Sequence, residues 1–327
     1  MKLGFLSLVL GVLVPALLAP TLPAPASLAQ DEEAPFVLGV LRRDGVVIPF
    51  ASFGGKNWES RWPDELRWTD LPITLGDVPP RWWGKAGPPS SLTIWAEGTA
   101  RGSIHLDRPV MITPACERRI GVTSDYRSTE IPPPPSVRPY PKEGLVTSGP
   151  EPIVLPLRVS QGNAEWVAAT KVLAGPMDAA EQSAINQFTD WKHPVKRDDR
   201  KKIPIEIEAL YRAPMDAEGW TAYHVEVIKR YPPGPKDEGC GLVTSATGWV
   251  AIGPKGKHWT QLYARITYCD RKGVAYFLPL GLMNLRGRRY WIFQASGYDS
   301  EGYAIVRPTS KAIEPVVSYT AGRCGGF

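Results

Sequence analysis

The chain has 327 residues, including 34 prolines and 31 glycines. Those two types make up about a fifth of it, against about 12% in average usage. A hydrophobic content of 43% argues against long disorder, because disordered chains lack the apolar mass that offsets ordering entropy. The proline and glycine argue against a mostly helical fold, and the formal net charge of +5 is too mild for a nucleic-acid binder.

Residues 1–29 read as a secretory signal. Lys2 is the only charge, an apolar run follows from Leu3 to Leu18, and Ser27-Leu28-Ala29 offers the small residues of a cleavage site. Its removal lowers the net charge from +5 to +4, because only Lys2 is lost. No later stretch approaches the roughly 20 apolar residues that a membrane-spanning helix needs. The expectation is an exported protein without a transmembrane segment, in a periplasm or the medium.

Residues 30–130 form a tryptophan-rich β region. Phe36–Leu41 and Val46–Phe50 flank Arg42-Arg43-Asp44-Gly45, and Asp-Gly between β-branched runs marks a hairpin. Pro49 places the second run at a sheet edge or strand end. Trp58, Trp62, Trp68, Trp82, Trp83 and Trp95 then lie among prolines that disfavour long elements. Core packing is the favoured reading of these indoles. A platform for sugar rings at Trp82 and Trp83 is the alternative. His105 and Asp107, near Glu97, read as ordinary turn residues.

Residues 131–150 hold Pro132–Pro135, Pro139 and Pro141. They read as an extended linker or a packed strap. Residues 151–327 form a second β region with one short helix near 178–191. Asp178 stands as its cap, and Met177, Ala180, Ala184, Phe188 and Trp191 lie along one face. The basic stretch from Lys192 to Lys202 reads as a solvated loop.

Alternation at Ile203, Ile205 and Ile207, and at Tyr223, Val225 and Val227, predicts two half-buried strands. Turns at 254–257, 270–273, 285–288 and 299–302 predict an antiparallel meander. The fold class is therefore mainly β, built of antiparallel hairpins with one short helix. Sandwich or barrel-like packing is preferred over a propeller. Four cysteines in an exported chain predict disulfides. Three pairings are open; Cys240 with Cys269, inside one β-rich segment, is the favoured one, which leaves Cys116 with Cys324.

The chain lacks the nucleophile elbow, zinc-protease, P-loop and dinucleotide signatures. No cofactor or metal is implied. The best polar constellation is Glu206, Glu208, His224 and Glu226, all expected to point away from the apolar face of one hairpin. Side chains so placed come within about 5–6 Å across antiparallel strands, close enough for acid–base work or a cation. A solvated outer face is the plainer reading. The favoured function is a non-enzymatic binding or structural protein of the cell envelope or extracellular space, with carbohydrate or another envelope component as partner and no nucleic acid. The alternative is a hydrolase on an extracellular polymer such as a polysaccharide, using Glu206, Glu208 or Glu226.

Overall fold

The computed structural model describes residues 33–63, 71–96, 99–127, 139, 141–149, 157–234 and 239–324. The leader at 1–29, the prolines 132–135, Glu97 and Trp68 lie outside the described residues. The described chain is mainly β, in three antiparallel sheets.

The first sheet holds β1 (Phe36–Leu41), β2 (Val46–Phe53), β3 (Trp58–Glu59), β4 (Leu92–Ala96), β5 (Thr99–Ile104), β6 (Leu106–Ile112), β7 (Arg119–Ser124) and β8 (Gly144–Thr147). Its order is β5-β4-β8-β1-β2-β7-β6, with β3 beside β2. The Asp44-Gly45 turn joins β1 to β2 as the sequence predicts. Pro49, however, lies inside β2. It is tolerated because the register slips there, leaving it opposite Gly39 at a bulge where no ladder hydrogen bond is needed. A Cβ on Gly39 would stand 2.8 Å from the Ile48 carbonyl oxygen, so the strands close at this point only around glycine.

The second sheet runs β13-β12-β11-β10-β9, from β9 (Leu157–Arg158), β10 (Glu206–Pro214), β11 (Thr221–Arg230), β12 (Leu242–Ile252) and β13 (His258–Tyr268). The third runs β14-β15-β16-β17, from β14 (Tyr276–Leu285), β15 (Arg288–Ser296), β16 (Ser300–Pro308) and β17 (Ile313–Arg323). The predicted meander is therefore real, but it changes sheet at the 269–275 turn.

The third sheet is buried on both faces. Leu278, Leu282, Trp291 and Phe293 meet Ala209, Tyr211 and Trp249 of the second sheet. Tyr290, Ile292, Tyr303 and Ile305 meet Val40, Ile48, Phe50 and Trp58 of the first. This is sandwich-like packing. The apolar alternation of each strand sends successive residues into different cores.

The helix differs from the expectation of 178–191. It is α1, Ala164–Ile185, and Asn163 caps it by accepting the Glu165 N–H at 2.9 Å. Pro176 lies inside it. The loss of one donor there is outweighed by burial of Ala169, Leu173 and Met177 against Val225, Val227 and Val250 of the second sheet. Asp178 and Glu181 are mid-helix, while Phe188 and Trp191 fall beyond its end. A second helix, α2, spans Arg197–Arg200.

Both predicted disulfides form. Cys116–Cys324 fastens the end of β17 to the first sheet's loop, with Cα atoms 4.8 Å apart. Cys240–Cys269 fastens the entry of β12 to the exit of β13, at 5.4 Å.

Candidate functional site

The hairpin β10–β11 carries the four polar residues singled out from the sequence and brings them together only in pairs: Arg230 bridges Glu206 and Glu208, at 3.1 and 3.4 Å, and Thr247 Oγ1 bridges His224 Nε2 and Glu226 Oε1, at 3.5 and 2.8 Å. Glu206 pairs with Ile228, then the register slips so that Ala209 faces Glu226 and Tyr211 faces His224. Glu208 is the extra residue of this bulge. Glu206 stays at the exposed start of β10, where Arg230 Nε reaches its Oε2 at 3.1 Å.

His224 and Glu226 are not on a solvated face. Their side of the second sheet is covered by the third, and they are 1% and 3% exposed. His224 sits against Trp249 and Phe293, at ring distances of 5.0 and 4.8 Å. Burial among these rings holds its pKa down to about 3, so the ring is neutral. Its Nδ1 is enclosed without a partner among the described residues. Glu226 accepts from Thr247 Oγ1 at 2.8 Å and from the Phe277 N–H at 3.0 Å. Burial pushes its carboxyl well above the ordinary range. Sequence alternation identified one apolar face correctly and missed that both faces are covered.

Glu208 alone reaches an open recess. The cleft is about 560 Å³ in volume and is lined by Lys142, Glu208, Arg271, Lys272, Tyr276 and Tyr298, among others. Arg271 grips Glu208 with two bonds, Nη2 to Oε1 at 2.7 Å and Nη1 to Oε2 at 3.0 Å. Tyr276 adds its hydroxyl to Oε2 at 3.4 Å. Arg271 is placed by a tight turn with φ of 57°, two residues after the Cys240–Cys269 bridge. The disulfide therefore holds the loop that delivers the guanidinium. A bidentate pair of this kind orients and rigidifies both side chains. Tyr298 stands at the rim, 80% exposed.

Sequence reasoning named Glu208 and recognised 270–273 as a turn, yet missed their pairing. No local pattern encodes a contact over 63 positions.

Two further polar groups were missed. Glu181, fully buried on α1, accepts from Thr244 Oγ1 at 2.7 Å, Arg200 Nε at 3.3 Å, Lys229 Nζ at 3.5 Å and the Tyr231 hydroxyl. It pins the helix to the sheet. Arg200 therefore leaves the basic stretch from Lys192 to Lys202, whose other charges stay at the surface, with Arg197 on Asp178 and Lys202 on Asp199. Glu143, next to β8, is 9% exposed and Oε2 has no partner among the described residues. Burial and then the charge of Glu301 push its pKa up to about 7. Arg42 bridges Glu301 and Asp44, at 3.5 and 3.2 Å.

Trp82 and Trp83 do not form a platform. They are 9% and 1% exposed, in a short 3-10 segment whose rings pack on Trp62 at 5.5 and 4.9 Å. Proline-broken backbone leaves gaps that indoles fill. His105 pairs with Asp125 at 3.0 Å in the open, and Asp107 accepts from Thr123. Among the described residues no group of three or more His, Cys, Asp or Glu lies close enough to hold a metal ion, and no helix is long and apolar enough to cross a membrane.

Comparison of the chain with protein-family models, with curated proteins and with solved structures returns no match.

Proposed function

We propose that the chain is an exported protein of the cell envelope or extracellular space that works by binding rather than by catalysis, with a polyhydroxylated ligand such as a saccharide in the Glu208–Arg271 cleft. The observation that carries this reading is the commitment of the polar groups. Glu208 is held in a bidentate ion pair, and Glu226 and the neutral His224 are sealed between two sheets. A cleft with fixed donors and acceptors and two tyrosines suits a ligand that offers alternating hydroxyls and apolar ring faces. Two disulfides and the leader-like start support an oxidising compartment.

Two measurements test it. The exported protein is expected to begin at Gln30 on N-terminal sequencing. Recovery of the uncut chain inside the cell contradicts export. Calorimetric titration with envelope saccharides is expected to give binding that Tyr298→Ala and Lys142→Ala both weaken, since both side chains are exposed at the rim. Binding that ignores both substitutions contradicts the cleft.

One observation favours a second reading, a hydrolase. Burial and then the charge of Glu301 raise the Glu143 pKa to about 7, and a carboxyl so raised suits a general-acid role. Hydrolysis of a polysaccharide that Glu143→Gln abolishes would establish it.

A further inference from the structure

The second sheet carries a recess at the opposite end of β13 from the Glu208 cleft. That strand's 11 residues span about 33 Å between its ends. This groove has a volume of about 800 Å³ and is lined by Trp220, Trp259, Lys255, Lys257, His258 and Lys311, together with Pro254 and Ser310. No carboxylate lines it. Of the acidic residues nearest in sequence, Arg307 holds Asp216 at 3.8 Å and Glu314 at 3.3 Å, while Glu218 is exposed in the neighbouring recess on the other side of Trp220. Lys255, Lys257 and Lys311 are exposed and make no ion pair among the described residues.

The indoles are held in place from below. A Cβ on Gly253 would stand 2.4 Å from the Trp220 ring, so that ring lies directly on bare backbone. Trp220 and Trp259 both pack on the core between the second and third sheets, yet stay half-buried. Each leaves part of a flat apolar surface at the groove.

The pattern continues along β13. Trp259, Gln261, Tyr263 and Arg265 share one face of this edge strand, by strand alternation. Tyr263 is 63% exposed, and Arg265 is exposed as well. Two aromatic side chains, with the neutral Gln261 between them, and then one cation, Arg265, thus lie in a line that leads out of the groove.

We propose that this track binds an acidic polysaccharide, with sugar rings on Trp220, Trp259 and Tyr263 and ring carboxylates on the lysines and Arg265. Indole faces stack on the apolar face of a pyranose, and ammonium groups attract carboxylate without needing a fixed geometry. The linear arrangement fits an extended polymer better than a single sugar. A lipid surface fits less well, because its aromatic anchors protrude, whereas Trp220 and Trp259 stay half-buried against the core. The site is separate from the cleft and does not depend on it.

The test is titration of the purified protein with oligomers of galacturonic acid, read by calorimetry and tryptophan fluorescence. Neutral dextran and phosphatidylglycerol vesicles run in parallel. Binding of the acidic oligomer, a fluorescence change and weakening with added salt are expected. The triple substitution Lys255→Glu, Lys257→Glu, Lys311→Glu alters only exposed side chains. It is expected to weaken binding by at least about tenfold. Tyr263→Ala, also at the surface, is expected to weaken binding to long oligomers more than to short ones. Tyr298→Ala in the distant cleft is expected to change neither. Absence of binding overturns the proposal, as does binding the triple variant retains. Equal binding of dextran, or lysine-dependent binding of vesicles without binding of the oligomer, overturns it too.

Discussion

Glu226 Oε1 on β11 accepts the backbone N–H of Phe277 on β14 at 3.0 Å, so a single carboxyl ties the second sheet to the third. The group is protonated in the fold and ionised above about pH 4.3 when unfolded. Folding above that pH therefore requires proton uptake, and stability falls as pH rises. Glu226→Gln keeps the acceptor and removes the titration. It is expected to match the parent at pH 4 and to exceed it at pH 8 in urea melts. Glu226→Ala strands two donors and is expected to cost about 1–3 kcal/mol.

Glu143 titrates in a narrower window. Its pKa rises to about 7 in the fold, mainly through burial. Below about pH 4.5 both states are protonated and no cost arises. Between that pH and 7 only the unfolded state ionises, so stability declines. Above 7 the cost stays constant, at about 3 kcal/mol. Glu143→Gln is expected to recover most of that at pH 8 and little at pH 4, read as the difference in unfolding free energy between the two.

His224 acts in the opposite direction. Its folded pKa of about 3 lies below the unfolded value of about 6.5. Stability is fully present above pH 6.5 and is lost as pH falls toward 3, by about 3 kcal/mol at pH 4. His224→Phe keeps an aromatic ring between Trp249 and Phe293. It is expected to shift the acid-unfolding midpoint downward, as followed by near-ultraviolet circular dichroism.

Among the described residues, Glu181 is the one carboxylate paired with buried Arg200 and Lys229. Removing it leaves two buried cations unpaired. Glu181→Ala is expected to cost about 3–5 kcal/mol and to loosen α1 first, since that helix carries Glu181 and rests on the second sheet. Amide exchange along 164–185 rising before the rest of the chain would check this.

Features written locally were legible in the sequence. Asp44-Gly45 marked its hairpin, the turns at 254–257 and 285–288 marked theirs, the turn at 270–273 marked the passage from the second sheet to the third, and Cys240–Cys269 followed from two strands of one ladder. What depended on which face is covered was not legible. Alternation at Tyr223, Val225 and Val227 identified one buried face, but nothing local states that a third sheet buries His224 and Glu226 as well. Pro176 hid the first half of α1, because a proline rule ignores the burial that compensates for it. The Glu208–Arg271 pair arises from a bulge and a disulfide-held turn, neither of which leaves a motif. Trp259 following Lys255 and Lys257 was visible in the sequence; Trp220 and Lys311 joined it only through the fold.

Binding without catalysis is tested most directly by size-exclusion chromatography of an envelope polysaccharide after prolonged incubation with the protein, because polymer length and co-elution are read together. Co-elution with the polymer length unchanged is expected. Shortened products that disappear with Glu143→Gln would contradict binding without catalysis.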